Sequence, residues 1–207
     1  MPIRVDHAER RSALADAVWR IVRRDGVPAA SVRGVAREAG LSMGSVRHFF
    51  ATQDDLLDFA MREVIDRAGK RIEAGAAARS AIAAAGRGVD AAMALLEQSL
   101  PLDEERLTEA RVWAAFTAQM LSHPGMAAIR READEGLRTI CHDSLAGLAE
   151  LGDVHASRDL ALETERLWAL LDGLTFHLLL DPVRTSADVV RTALRIHLGD
   201  LQGPAPG

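Results

Sequence analysis

The chain has 207 residues, 48% hydrophobic and 27% charged, enough for one or two domains and incompatible with a wholly disordered or fibrous protein. One cysteine, Cys141, excludes an intrachain disulfide framework and any zinc site built on several cysteines. The net charge of −5 conceals a basic end, because residues 1–53 hold nine arginines against five acids while the rest holds sixteen bases against twenty-five acids. That asymmetry points to one segment that meets a polyanion and an acidic body that does not.

The sequence reads as helix throughout. Alternating strand patterns are absent, Tyr is missing, and Ala, Leu, Arg and Glu dominate. The first helix spans residues 7–25, with Leu14, Ala17, Val18, Ile21 and Val22 on one apolar face and Gly26 as its stop. Ser31 caps a short second helix, 32–39. Gly40 breaks it, Leu41 follows as an apolar plug, and Ser42 caps a third helix, 43–50. Thr52 caps a fourth, whose first turn holds Asp54 and Asp55 at the positive end of the helix dipole. Leu57, Ala60, Met61, Val64, Ala68 and Ile72 give it a long apolar stripe.

Residues 74–88, rich in Ala and Gly, read as a loose helix end or hinge. Further helices are expected at about 89–99, 103–122, 126–151, 158–181 and 186–200. Pro101, Pro124-Gly125, Gly152-Asp153 and Asp181-Pro182 separate them, and Ser186 caps the last. The expected architecture is all-α with about nine helices. It comprises an N-terminal three-helix unit at 1–53, a helical bundle at 54–202 and a disordered tail at 203–207. Residues 1–25 carry Arg and Asp throughout and lack the apolar core of a secretory signal. The longest uncharged stretch, 112–129, is interrupted by His123-Pro124-Gly125, so no membrane span is expected. The expected location is the cytoplasm, with no membrane partner.

Residues 31–50 read SVRGVAREAGLSMGSVRHFF. Two short helices joined by a Gly-containing turn, apolar inside and basic outside, describe a helix-turn-helix. Ala36 is small where the helices cross, Gly40 can take positive φ, and Leu41 and Val46 fill the angle between them. Ser42, Met43, Ser45, Arg47 and His48 are left on the open side of the third helix. A helix of this size fits the major groove of B-form DNA.

The run Ala36-Arg37-Glu38-Ala39-Gly40-Leu41-Ser42-Met43-Gly44-Ser45-Val46-Arg47-His48-Phe49-Phe50, followed by Thr52-Gln53-Asp54-Asp55-Leu56-Leu57, resembles the DNA-binding domain of the TetR family of one-component regulators. The match covers about a quarter of the chain, and the nine-helix pattern extends it to the whole. The resemblance implies a homodimer on palindromic double-stranded DNA. It also implies a C-terminal domain that binds a small-molecule effector and pairs through its last two long helices, about 158–181 and 186–200. Carried onto this sequence, Ser31, Arg33 and Ser42 hold phosphates, Ser45, Arg47 and His48 meet base edges, and Met43, Phe49 and Gln53 complete the interface. Arg10 and Arg11 reach toward the backbone or minor groove. The chain departs from the family pattern at Arg47, where Tyr is usual, at Phe49, where His or Tyr is usual, and at Gln53, where Lys is frequent. Phe49 lacks the hydroxyl that often holds a phosphate, and Arg47 can supply a phosphate contact or a bidentate pair with guanine.

In the C-terminal body Trp113, Phe116, Met120, His142, Trp168, Asp172 and Phe176 are the candidates for an apolar effector pocket with a few polar groups, and each of them can equally be core. Glu109 is a further polar candidate. Residues 167–180 are apolar nearly all round, and pairing with a second copy, or an intrachain core, would cover them. The phrase Asp172-Gly173-Leu174, ending at Leu180-Asp181-Pro182, is similar to a TetR subgroup that includes the choline-responsive repressor. So are Pro101-Leu102-Asp103-Glu104-Glu105-Arg106 and Trp113-Ala114-Ala115-Phe116. No Gly-rich phosphate loop, His-Glu-x-x-His pair or Gly-x-Ser-x-Gly elbow occurs, so neither catalytic nor cofactor-binding residues are assigned. His177 and Asp181, four apart, lack a third metal ligand, and Cys141 among apolar residues reads as buried and inert. The expectation is a regulator, a repressor released from its operator by an effector. The alternative is a helical ligand-binding scaffold with lost or weak DNA binding.

Overall fold

The computed structural model describes residues 7–26, 29–120 and 127–205, without the side chains of 7–9, 53 and 118–120. Among the described residues there is no strand. There are ten α-helices: α1 (His7–Asp25), α2 (Val32–Glu38), α3 (Met43–Phe49), α4 (Gln53–Ala74), α5 (Ala76–Ala84), α6 (Gly88–Leu96), α7 (Glu104–Met120), α8 (Ala127–Glu150), α9 (Leu160–Leu180) and α10 (Ala187–Asp200). One 3-10 turn, Glu97–Ser99, follows α6. The expected break at Pro124-Gly125 and the last two residues of the tail lie outside the described residues.

The all-α expectation holds, with one more helix than the nine anticipated. The addition is α5, in the stretch read as a hinge. Its alanines favour helix on intrinsic propensity, yet it buries none of its residues. Short, mostly Ala and flanked by Gly75 and Gly86, the segment reads in the sequence as a loose connection.

The helix ends follow from their caps. The side chains of Ser31, Ser42 and Ser186 accept from the backbone N–H groups of Gly34, Ser45 and Val189 at 3.1, 3.0 and 3.4 Å. Each satisfies one of the N–H groups a helix start leaves unpaired. Thr52 and Asp55 form a reciprocal box. The Asp55 N–H donates to Thr52 Oγ1 at 3.1 Å and the Thr52 N–H to Asp55 Oδ2 at 2.9 Å.

The chain divides into two compact units, residues 1–67 with 111–131 and residues 68–110 with 132–207. The core of the first joins Leu14, Val18 and Ile21 of α1, Val35 and Ala36 of α2 and Val46 of α3. It also takes in Leu56, Phe59, Ala60 and Met61 of α4, with Phe116 and Ile129. Trp19 anchors α1 to α4, with its Nε1–H donating to the Ala60 carbonyl at 3.2 Å. The Arg67 guanidinium lies 4.1 Å from the Trp19 ring centre and pairs with Asp16 at 2.7 Å. These contacts hold residues 53–67 of α4 within the unit that carries α2 and α3.

The second unit packs Met93, Leu96 and Leu100 with Cys141, Leu145 and Leu148 of α8, Leu167, Leu171 and Leu178 of α9 and Val190, Leu194 and Leu198 of α10. The buried carboxylate of Glu163 is paired twice. Glu163 accepts from Arg158 at 2.9 Å and from Arg166 at 3.0 Å. Arg158 also donates to the carbonyls of Asp200 and Gly203 and so fastens the end of α10 to the start of α9. Among the described residues no helix is long and apolar enough to cross a membrane.

Candidate functional site

The turn between α2 and α3 is built from backbone hydrogen bonds. Ala39 is the C-cap of α2 and Gly40 follows with φ +65°, the left-handed conformation that a side chain resists. The Leu41 N–H donates to the Ala36 carbonyl at 2.9 Å and the Gly40 N–H to the Arg37 carbonyl at 3.3 Å, the two bonds of a Schellman motif. Val46 is fully buried and Leu41 is half-buried against the core of the first unit. At the other end of α2, Gly34 passes close to the preceding backbone. A Cβ there would stand 2.8 Å from the Ala29 carbonyl oxygen. The angle between α2 and α3 is therefore set without any side chain on the open face of α3.

On that face Ser42, Arg47 and His48 are exposed and Ser45 is half-buried. Met43 and Phe49 are half-buried and pack against the core of the first unit. The His48 ring meets the edge of Phe49 at 5.7 Å between centres, Phe49 lies 6.3 Å from Phe50, and Phe50 lies 5.0 Å from Phe59 of α4. This row of rings backs the exposed end of α3 onto α4. The Gln53 side chain lies outside the described residues. Ser31 has its hydroxyl in the cap of α2, and Arg33 beside it is exposed.

The nine arginines of the basic end are not equivalent. Arg20 and Arg24 of α1 grip Glu38 of α2 at 2.9 and 3.2 Å, and their hydrogen bonds hold its carboxyl below the usual carboxylate range. The Arg11 guanidinium sits 4.8 Å from the Phe59 ring centre. Arg33, Arg37 and Arg47 are exposed. Arg37 therefore joins the candidates, which the sequence had treated only as part of the motif. An open groove of about 430 Å³ in this unit is lined by Arg10, Ala13, Asp16, Arg20, Glu38, Ala39 and Leu41, none of them a candidate for the effector.

The effector candidates fall in both units. In the first, Phe116 is fully buried in the core, and Trp113 is half-buried with the Arg130 guanidinium 5.3 Å from its ring centre. The Met120 side chain lies outside the described residues. In the second, Trp168, Asp172 and Phe176 follow one another at intervals of four along one face of α9, each half-buried. The Arg138 guanidinium of α8 covers the Trp168 ring at 3.9 Å while pairing with Glu165 at 2.8 Å. Trp168 Nε1 is buried without a hydrogen-bond partner. His142 is exposed, its Nδ1 3.4 Å from Asp143. Glu109, the further polar candidate, is buried and paired with Arg71 at 2.7 Å. Cys141 is fully buried, and burial pushes its thiol up to about 12, so it carries no thiolate near neutral pH. No group of three or more His, Cys, Asp or Glu that could hold a metal ion occurs among the described residues.

Comparison with known proteins agrees with this geometry. Residues 88–203 match the family described as the C-terminal domain of BetI-type transcriptional repressors. Over 201 residues the chain is 36% identical to the HTH-type transcriptional regulator PksA of Bacillus subtilis (strain 168), covering 97% of this chain and 94% of PksA. The crystal structure of a transcriptional regulator from Rhodococcus sp. Rha1 superposes with a TM-score of 0.76 at 31% identity, covering 92% of this chain and 95% of that one. A regulator from Saccharomonospora viridis, crystallised in complex with choline, shares the fold with a TM-score of 0.76 at 24% identity, over 91% of this chain and 95% of that one. With a helix-turn-helix closed by a Schellman turn at one end and a BetI-type bundle over residues 88–203, the chain belongs to the TetR family of transcriptional regulators.

Proposed function

We propose that this chain is a dimeric repressor that grips a palindromic operator with two copies of α3 and releases it when a small molecule occupies the C-terminal bundle. The observation that carries the reading is the open face of the helix-turn-helix, where Arg33, Arg37, Arg47 and His48 are all exposed on a frame held by buried residues. Arg47 and His48, with Ser45, meet base edges in the major groove, while Ser31, Arg33 and Ser42 hold phosphates that fix the register. Residues 1–53 form the DNA-reading part and 54–202 the effector-binding and dimerising part.

The second copy docks on α9 and α10. Leu162, Leu180, Val189 and Ile196 of these helices are exposed, Leu180 to 78%. Large apolar side chains in such numbers on two adjacent helices favour burial against their own copies, with two-fold symmetry. The symmetry spaces the two recognition helices one turn of DNA apart, about 34–36 Å. An effector shifts this equilibrium only if it binds the operator-free state more tightly than the bound state.

The effector residues proposed are Trp168, Asp172 and Phe176 on α9, with His142 of α8 in the same unit. Choline accompanies the Saccharomonospora regulator. A quaternary ammonium binds the face of an aromatic ring, and here the Trp168 face already carries Arg138. Choline is therefore not assigned to this chain.

Selection of duplexes from a randomised library with purified protein tests the reading. The expected result is an enriched palindrome whose affinity falls steeply with salt, as released counterions require. Absence of enrichment at low salt would leave the ligand-binding scaffold in its place.

A further inference from the structure

The hydroxyls of Ser42 and Ser45 are hydrogen-bonded to each other at the start of α3. Ser42 Oγ accepts the Ser45 backbone N–H at 3.0 Å, and the two hydroxyl oxygens stand 2.9 Å apart. One hydroxyl must donate to the other, so of two O–H groups only one remains for DNA. A serine alone at a base edge is ambivalent, donating or accepting as the base requires. This pair is not. Ser42 precedes the helix and is exposed, whereas Ser45 lies one turn in and is half-buried. A phosphate oxygen can only accept, so a hydroxyl that touches it must donate.

From this geometry we infer that Ser45 reads the operator as a hydrogen-bond acceptor. Ser42 gives its proton to a phosphate, Ser45 gives its proton to Ser42 Oγ, and the lone pairs of Ser45 face the groove. They select an amino group, N6 of adenine or N4 of cytosine, on the strand nearest α3. The phosphate contact and the base contact then form one chain of hydrogen bonds, each polarising the next. The inference rests on the operator-binding reading and adds a direction to one of its contacts.

Every Watson–Crick pair carries one such amino group in the major groove, so sequence selection alone does not tell an acceptor from a donor. The test therefore removes single groups from the selected operator. The position that Ser45 senses is the one whose preference is lost with Ser45→Ala. At that position the amino group is deleted by placing purine for adenine or 2-pyrimidinone for cytosine. In separate duplexes the O4 or O6 acceptor of the paired base is deleted.

Loss of the amino group is expected to weaken wild-type binding about three- to tenfold, the range of one net hydrogen bond, and to leave Ser45→Ala unaffected. Ser42→Gly, which removes the hydroxyl at little cost to the cap, is expected to tolerate the deletion because it frees the Ser45 proton to donate. Ser42→Asn restores an acceptor for that proton and is expected to restore the sensitivity. Sensitivity to loss of O4 or O6 in place of the amino group would overturn the inference while leaving the operator reading intact. So would the absence of any position that senses Ser45→Ala. Failure of the wild-type chain to enrich any sequence would overturn both.

Discussion

Arg71 near the end of α4 meets Glu109 of α7 through two parallel hydrogen bonds, Nη1 to Oε1 at 2.8 Å and Nη2 to Oε2 at 2.7 Å. The Glu109 side chain is 6% exposed and that of Arg71 is 24% exposed. Removing one partner strands the other in a dry site, at a cost of about 3–5 kcal/mol for a fully buried pair. The partial exposure of Arg71 places Glu109→Ala near the low end of that range. Replacing both residues, as in Arg71→Met with Glu109→Leu, is expected to cost less than either Arg71→Ala or Glu109→Ala. Denaturant titration of the set measures this, and a double variant weaker than both single ones would refute it.

The same substitution has opposite signs at two glycines. At Gly34 a Cβ meets a backbone carbonyl at 2.8 Å, which cannot move without shifting the start of α2. At Gly136, exposed within α8, a Cβ meets nothing within 4 Å. Gly34→Ala should lower the melting temperature. Gly136→Ala should raise stability by about 0.5–1 kcal/mol, the helix advantage of Ala over Gly. Thermal melts of the two variants beside wild type decide it.

Arg47 and Arg33 are expected to fail differently on the selected operator. Arg47→Ala should cost about 1–3 kcal/mol and relax preference at one base position. Arg33→Ala should weaken all sequences alike and reduce the salt slope by about 1. Equal loss on specific and random duplexes for Arg47→Ala would move Arg47 to the phosphates.

Stability should also fall on mild acidification, through His197 of α10. Its Nε2 is buried without a hydrogen-bond partner, and burial holds its pKa below the ordinary imidazole value, against the opposing pull of Glu163 and Asp200. Below pH about 6.5 the unfolded chain takes up a proton that the folded chain refuses, so stability drops as pH falls through that range. His197→Phe should flatten this part of the profile. An unchanged slope between pH 7 and 5.5 would remove His197 as its cause.

Cys141 should be inert in the folded chain, being fully buried with its thiol pushed up to about 12. A maleimide at neutral pH is expected to label it far more slowly in the native protein than in urea. Equal rates would show that α8 opens readily.

Much of this architecture was legible because Gly, Pro and capping serines mark helix ends by local chemistry. Gly40, Ser31, Ser42 and Ser186 act where the pattern placed them. What stayed hidden was decided between elements. The surplus of positive charge in 1–53 includes Arg20 and Arg24, which are exposed yet paired with Glu38. Counting residues cannot separate a cation paired across two helices from an open one. Trp113, Phe116 and Trp168 look alike as apolar positions, yet the first two pack in one unit and Trp168 in the other. Periodicity says which face of a helix is inward but not which helices share that interior.

The turn before α3 has a consequence for how such a regulator can change. Main-chain bonds at Gly40 and Leu41, with the buried Val46, fix the helix angle, while Arg47 is exposed and has no part in the turn. A substitution at Arg47 can alter which DNA is preferred without touching the frame that presents it. Target preference can thus drift by single steps through variants that all fold, so duplicated copies of this gene could diverge toward new promoters without first losing their shape.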